Sequence, residues 1–192
     1  MRDGSNTRRK IQETALRLFV EQGVSETTVR DLAKAAGIAE GTLYRHYASM
    51  NDLVQGLFTT HYAAFAHRLD IVQAAHTGFA GKIDAIVAEF CRFFDAETVL
   101  FRFLMLVQHQ TLPNIANDTN NPVEQLSQVI ALAMDRGEIS RRPVGLATAM
   151  VLGLLLQPAF GLVYGRIAPP FSQYVNDITA ACLAALRSSD NA

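Results

Sequence analysis

The stretch from residue 27 to residue 47, which reads TTVRDLAKAAGIAEGTLYRHY, constrains the fold of this chain more than any other segment. Its first half carries apolar residues at the i, i+3, i+4 and i+7 spacing of a short amphipathic helix: Val29, Leu32, Ala33 and Ala36. Thr27 or Thr28 can cap the free N–H groups of this helix. Gly37 can adopt the left-handed conformation that ends a helix, and a second helix is expected from near Gly41.

This second helix separates an inward face from an outward face. Leu43 and Tyr47 lie four residues apart and face inward, and the outward face is polar: Thr42, Tyr44, Arg45 and His46. Two short helices joined by a tight turn describe a helix-turn-helix, whose second helix fits the major groove of DNA. A helical hairpin without DNA-binding function would have the same lengths and turn. The residue types on the outward face favour DNA binding.

The run AGIAEGTLYRHYASMNDL resembles the helix-turn-helix signature of the TetR (tetracycline-repressor) family, over about the first fifty-five residues. Three upstream features stand where the family pattern places them: Phe19, Gly23 and the pair Thr27–Thr28. Two positions depart from the pattern. The family usually has Ser at Ala39, so a helix cap is missing, and it usually has Lys at Met50, where that Lys contacts a DNA phosphate.

The resemblance implies roles for individual residues. Five of them are expected at base edges: Arg30, Glu40, Thr42, Arg45 and His46. Four are expected at phosphates: Thr27, Thr28, Tyr44 and Tyr47. A phosphate role is as plausible for His46 as base recognition, and Tyr47 can instead pack in the core with only its hydroxyl exposed.

A strongly basic nucleic-acid binder is excluded, because the 192 residues carry a formal net charge of −1 at pH 7. DNA affinity must then come from a local patch, which the run Arg8–Lys10 supplies unless it is only a solvated face. We expect no enzyme activity and no cofactor, because the sequence lacks catalytic and phosphate-binding motifs. His61 and His67 lie on different faces of their helix and make a poor metal pair.

The hydrophobic periodicity predicts an all-α fold of two domains. An N-terminal three-helix helix-turn-helix domain is expected over residues 1–52, and a C-terminal helical effector-binding and dimerisation domain over residues 53–192. Residues 1–6 are expected to form a mobile arm before a first helix over 7–21, and residues 76–81 a turn. Beyond the helix-turn-helix, helices are predicted over six ranges: 50–75, 82–94, 98–112, 122–137, 143–166 and 171–187.

Two of these helices are unusually apolar. The helix over 98–112 is apolar almost all round and is expected to be buried on every side. Residues 146–163 carry no charge and approach the length of a membrane span, but Gln157-Pro158 interrupts them and the preceding helices are amphipathic, so we reject a membrane. Glycines recur there every eight residues, at positions 145, 153 and 161, which favours a helical dimer interface over an internal core helix.

A small-molecule pocket is a second expectation for the C-terminal domain. Apolar side chains with sparse polar anchors line such pockets, and the candidates are Phe90, Phe94, Phe101, Met105, His109 and Phe160. The same residues suit an ordinary core, and His109 can be a satisfied core histidine. The family resemblance favours the pocket.

Together these features predict a homodimeric transcriptional regulator, most plausibly a repressor, that binds a palindromic operator in double-stranded DNA. A small, largely apolar effector would release the DNA. We expect no signal peptide, because the first residues are polar, and the two cysteines, Cys91 and Cys182, fit buried free thiols, so we expect a cytoplasmic protein. The competing class is a soluble helical ligand-binding protein or enzyme without DNA binding.

Overall fold

The computed structural model of the chain describes residues 2–115 and 121–187. Within them it has nine α-helices, one 3₁₀ helix at Phe171–Tyr174 and no strand. The α-helices are α1 (Arg2–Gln22), α2 (Val29–Ala36), α3 (Glu40–Tyr44), α4 (Met50–Ala74), α5 (Gly78–Ala96), α6 (Thr98–Ile115), α7 (Pro122–Asp135), α8 (Val144–Val163) and α9 (Val175–Leu186). The predicted all-α fold class is confirmed.

The chain folds as two compact units. The first unit contains the chain up to Tyr62 together with α6, and the second contains Ala63–Glu97 together with α7 and the helices after it. The predicted domain boundary between residues 52 and 53 concerns DNA binding and stays a prediction. The packing unit that holds the helix-turn-helix is larger than that domain, because α6 packs against α1.

The core of the first unit is built on α1. Ile11, Ala15 and Phe19 are fully buried on this helix, as their spacing predicts. The ring of Phe19 stacks on Phe103 of α6, with 5.8 Å between the ring centroids. The helix-turn-helix packs on the same helix, since α1 also contacts α2.

Two predicted boundaries near helix starts are wrong. Residues 2–6 are not a mobile arm, because α1 begins at Arg2. The helix forms despite Gly4, and Arg9 Nη2 donates to Asn6 Oδ1 at 3.3 Å across one helical turn. The expected turn over 76–81 is shorter, because α5 begins at Gly78 behind an extended Thr77.

The predicted burial of α6 on every side is also wrong. Phe101, Phe103 and Leu104 are buried, but Val99 is exposed and Leu106 is 54% exposed. Only the face of α6 that meets neighbouring helices is buried. The exposed face carries Arg102 between Val99 and Leu106 and lies at the surface of its unit.

An aromatic cluster forms the core of the second unit. Phe65 stacks on Phe93 with ring centroids 4.5 Å apart, and Phe94 meets Phe171 edge-on at 5.2 Å. The Asp95 carboxylate accepts the backbone N–H of Phe171 at 2.7 Å and that of Ser172 at 2.9 Å. The start of the 3₁₀ helix is thereby fastened to the end of α5.

A buried carboxylate in the same unit is compensated by two arginines. Glu89 is buried, Arg68 Nε donates to its Oε1 at 2.6 Å, and Arg92 Nη2 donates to its Oε2 at 2.8 Å. Arg68 also pairs with Glu97 at 3.2 Å. A buried carboxylate without such partners would be strongly destabilising. The two arginines therefore compensate the burial of Glu89 rather than adding net stability.

The glycines of α8 have different surroundings. By length and composition α8 could cross a membrane, and 28% of its most apolar window is buried within the chain. A Cβ at Gly161 would lie 2.6 Å from Ile167 Cδ1, so this glycine serves packing inside the chain. Gly145 and Gly153 face open space. Of the three, these two remain available for the predicted contact with another helix.

Both cysteines should resist alkylation in the folded protein. Cys91 and Cys182 are buried, and burial raises the thiol pKa of Cys91 to about 12 and that of Cys182 to about 11. The thiolate is the nucleophile in alkylation. At pH 8 the thiolate fraction of Cys91 is on the order of a thousandfold smaller than that of a thiol with the ordinary pKa of about 8.5. We expect iodoacetamide at pH 8 to label neither cysteine in buffer and both in guanidinium. Prompt labelling of the native protein would contradict this.

Candidate nucleic-acid interface

The start of α2 is held by a reciprocal pair of hydrogen bonds. The backbone N–H of Asp31 donates to the Thr28 hydroxyl at 3.1 Å, and the Asp31 carboxylate accepts the backbone N–H of Thr28 at 3.2 Å. The Thr28 hydroxyl also donates to that carboxylate at 2.6 Å. These bonds with Thr28 lower the pKa of Asp31. Thr28 is therefore the cap, and it remains exposed at the helix start, where anions are favoured.

Thr27 has an internal role instead. Its hydroxyl donates to the Gly23 carbonyl at 2.7 Å and accepts from the Gln22 amide at 3.2 Å, and the residue is only 5% exposed. Thr27 therefore fastens the end of α1 to the start of α2. Its proposed phosphate contact stays a prediction, and the buried hydroxyl counts against it.

The turn between α2 and α3 follows the predicted chemistry. Gly37 has a φ of 61°, and its N–H donates to the Lys34 carbonyl at 3.1 Å. The N–H of Ile38 donates to the Ala33 carbonyl at 3.0 Å, which completes a Schellman-type helix end. α3 then begins at Glu40 behind Ala39, which makes no side-chain cap. The missing cap expected at Ala39 is confirmed.

α3 has the two faces that the spacing predicts. Leu43 is fully buried and Tyr47, after the helix end, is 4% exposed. Tyr44 is 55% exposed, Arg45 is exposed, and Thr42 and His46 are half-buried. Arg30 on α2 and Glu40 at the first position of α3 are also exposed. The candidate interface is the surface formed by Thr28, Arg30, Glu40, Thr42, Tyr44, Arg45 and His46.

Tyr47 packs in the core and meets a cation at its edge. Arg8 Nε donates to the Tyr47 hydroxyl at 3.3 Å, and the Arg8 guanidinium lies 5.4 Å from the centroid of its ring. This is the cation–π geometry. The pair ties α1 to the residues after α3, and a phosphate contact by Tyr47 stays a prediction.

An open cleft lies where α1 passes the end of α3. Its volume is about 330 Å³, and it is lined by Gly4, Thr7, Thr42, Arg45 and His46. Arg45 Nη2 donates to Thr42 Oγ1 at 3.0 Å on the cleft wall. Gly4 and Thr7 carry no signal in the sequence, because their place in the cleft depends on how the first unit folds.

The predicted pocket residues do not fall within one packing unit. In the second unit, Phe90 and Phe94 are buried against Phe171, at 6.1 and 5.2 Å between ring centroids, and Phe160 is half-buried. In the first unit, Phe101 is buried and Met105 is half-buried. The side chain of His109 lies outside the described residues. The pocket stays a prediction, and among the described residues no group of three metal-ligating side chains occurs.

Comparison with known proteins identifies the N-terminal segment. Residues 11–57 match the model of "Bacterial regulatory proteins, tetR family". A candidate regulator of mycofactocin biosynthesis from Mycobacterium tuberculosis, MftR, is 36% identical over 107 residues, which are 56% of this chain and 54% of that protein. The chain thus spans about half the length of this curated relative.

Solved structures share the fold over nearly the whole chain. The fatty acid degradation regulator FadR of Bacillus halodurans superposes with a TM-score of 0.82 at 20% identity, covering 94% of this chain and 96% of that one. FadR of Bacillus subtilis in complex with stearoyl-CoA superposes with a TM-score of 0.78 at 18% identity, covering 93% and 99%. This family and these neighbours are transcriptional regulators and not enzymes. Residues 11–57 of the chain are thus similar to the TetR family of bacterial regulatory proteins, and the described residues share the fold of these solved regulators.

Proposed function

We propose that the protein is a repressor that binds a palindromic operator in double-stranded DNA as a homodimer. The observation that carries this proposal is the outward face of α3, which stays polar and accessible while Leu43 and Tyr47 are buried behind it. A recognition helix presents its N-terminal residues to base edges. Glu40 and Thr42 occupy that position in α3, and Arg30 adds an exposed cation from α2.

Phosphate contacts on either side of the recognition helix would fix its register. Thr28 is exposed at the N-terminus of α2, and the Tyr44 hydroxyl projects from an exposed side chain of α3. Hydroxyls and helix N-termini bind phosphate oxygens without distinguishing bases. Specificity would then come from the base edges, and affinity from both kinds of contact.

The homodimer would form through α8 and α9. Small residues line the exposed side of both helices, at Gly145, Ala149 and Gly153 on α8 and at Ala180 and Ala184 on α9. Small side chains let helices approach closely, and α8 already packs against α9 within the chain. A second copy placed there would cover apolar surface of α8 that a cytoplasmic protein must bury.

The effector would be a small, largely apolar molecule bound among the helices of the C-terminal domain. The support is the aromatic composition of that domain and the neighbour FadR of Bacillus subtilis, whose structure holds stearoyl-CoA. The candidate lining residues remain Phe90, Phe94, Phe101, Met105, His109 and Phe160. An effector can shift DNA affinity only by its difference in affinity for the two states of the protein.

DNA selected by the purified protein from a random pool should contain a palindrome with half-site centres about 34–36 Å apart, or a multiple. Affinity should fall about a thousandfold or more between 50 and 200 mM salt if six or more phosphates are contacted. Arg30→Ala should weaken binding by about 5- to 150-fold for each base pair that Arg30 recognises. Arg141→Ala, an exposed arginine of the second unit, is the matched control. If no DNA is enriched, or if the affinity does not depend on salt, the protein is better described as a helical ligand-binding protein without DNA binding.

Gly153→Arg should separate the dimer. Light scattering after size exclusion should give twice 21.0 kDa for the wild type and 21.0 kDa for the variant. A Cβ at Gly153 meets none of the described residues, so the fold of the protomer should survive. Gly56→Arg is the control, since Gly56 is an exposed helical glycine with equally open surroundings. A variant that stays dimeric would exclude this face.

An apolar effector should stabilise the protein and release its operator. We expect at least one member of a panel of long-chain acyl-CoAs, free fatty acids and steroids to raise the melting temperature. The expected gain is about 2.7 kcal/mol at a hundred times its Kd. The same compound should lower the fluorescence anisotropy of labelled operator. If no member does either, the effector class is wrong.

A further inference from the structure

The cleft beside α3 has the chemistry of an anion site. Its lining residues other than Gly4 are Thr7, Thr42, Arg45 and His46, whose side chains can all donate hydrogen bonds, and no carboxylate is among them. The walls come from two elements, since Thr7 belongs to α1 and the others to α3 and the residues after it. A site assembled from two elements can hold an anion in one position, which a single exposed cation cannot do.

Arg45 is poorly placed to recognise a base. It follows the last residue of α3, Tyr44, and therefore lies at the opposite end from the N-terminal residues that reach base edges. Its Nη2 donates to Thr42 Oγ1 at 3.0 Å, which directs the guanidinium along the cleft wall. A guanidinium carries five N–H donors in a rigid fork, so it has more donors than Thr42 can accept.

We propose that this cleft binds one phosphate of the DNA backbone in each half-site, and that Arg45 contacts this phosphate rather than a base. The planar fork of arginine suits two oxygens of one phosphate, and Thr42 holds it in place. Thr7 closes the site from α1, so α1 contributes to DNA binding directly. This inference rests on the proposed DNA-binding function and assigns to Arg45 a role other than the base contact that the sequence predicts.

The role of Arg45 is tested by comparing affinity with specificity. Arg45→Ala should lower affinity for the selected operator and for a scrambled duplex by the same factor, about tenfold or more per subunit. The slope of log K against log salt should become shallower by about 0.9 per half-site. Arg45→Lys keeps the charge but not the fork, so it should retain the slope while weakening binding. If the preference for one base pair relaxes while the slope is unchanged, Arg45 reads a base and the proposal is overturned.

The position of the phosphate is tested with neutral linkages. Operators that carry one methylphosphonate per half-site remove a single charge at a chosen position. At one position the linkage should weaken the wild type by about tenfold and leave Arg45→Ala unaffected, because the two changes remove the same interaction. If every position affects both proteins equally, Arg45 does not bind a backbone phosphate.

The contribution of α1 is tested at the cleft wall. Thr7→Asp places a carboxylate against the bound phosphate, so its DNA affinity should be about tenfold lower than that of Asn6→Asp. Asn6 is the matched control, because it is the neighbouring exposed residue of α1, does not line the cleft and receives the same charge change. An aspartate near a helix N-terminus does not harm the helix. Equal effects would show that only the general charge of α1 matters.

A free anion is the other source of the same chemistry. Inorganic phosphate at 10 mM and constant ionic strength should neither raise the melting temperature nor compete with operator, since a backbone phosphate is held by many contacts at once. Stabilisation by free phosphate that disappears in Arg45→Ala, without a change in DNA affinity, would overturn the proposal in favour of a small-anion site. Failure of the wild type to select any DNA would instead refute the proposed function.

Discussion

The outward face of α3 depends on the burial of two side chains behind it. α3 has only five residues, far fewer than an isolated helix needs for stability in water. Its position is therefore imposed by tertiary contacts, chiefly the burial of Leu43 and Tyr47 in the core built on α1. Arg8 adds a hydrogen bond and a cation–π contact to Tyr47 from the same helix. The core built on α1 thus holds the candidate interface in place.

The helix-turn-helix could be predicted from the sequence because local chemistry determines it. Thr28 and Asp31 cap α2 reciprocally, and Gly37 provides the left-handed residue of the turn. Each of these features involves residues at most a few positions apart. The inward positions of Leu43 and Tyr47 followed from the same short-range periodicity. The cleft could not be predicted, because Thr7 and Arg45 are far apart in sequence and line it together only in the folded unit.

For the remaining helices, burial is harder to predict from the sequence than the helices themselves, because it depends on neighbouring elements. α6 is apolar almost all round, yet its face with Val99, Arg102 and Leu106 is exposed because none of the described helices covers that face. The three glycines of α8 form one periodic series in sequence, but Gly161 meets Ile167 while Gly153 faces open space. Aromatic residues raise the same difficulty. Phe94 and Phe171 pack against each other as in an ordinary core, and the lining of a pocket would have the same composition.

The cap of α2 has a consequence for acid tolerance. Asp31 has a pKa below its ordinary value because it accepts hydrogen bonds from Thr28 in the folded state. A carboxyl whose pKa is lowered by folding contributes stability above its unfolded pKa, about 3.9, and loses it as the pH falls through the folded value. Moderate acidification leaves this carboxylate charged. The N-terminus of α2 should then keep its geometry in mild acid, and lose it only at a pH below the one that titrates an ordinary aspartate.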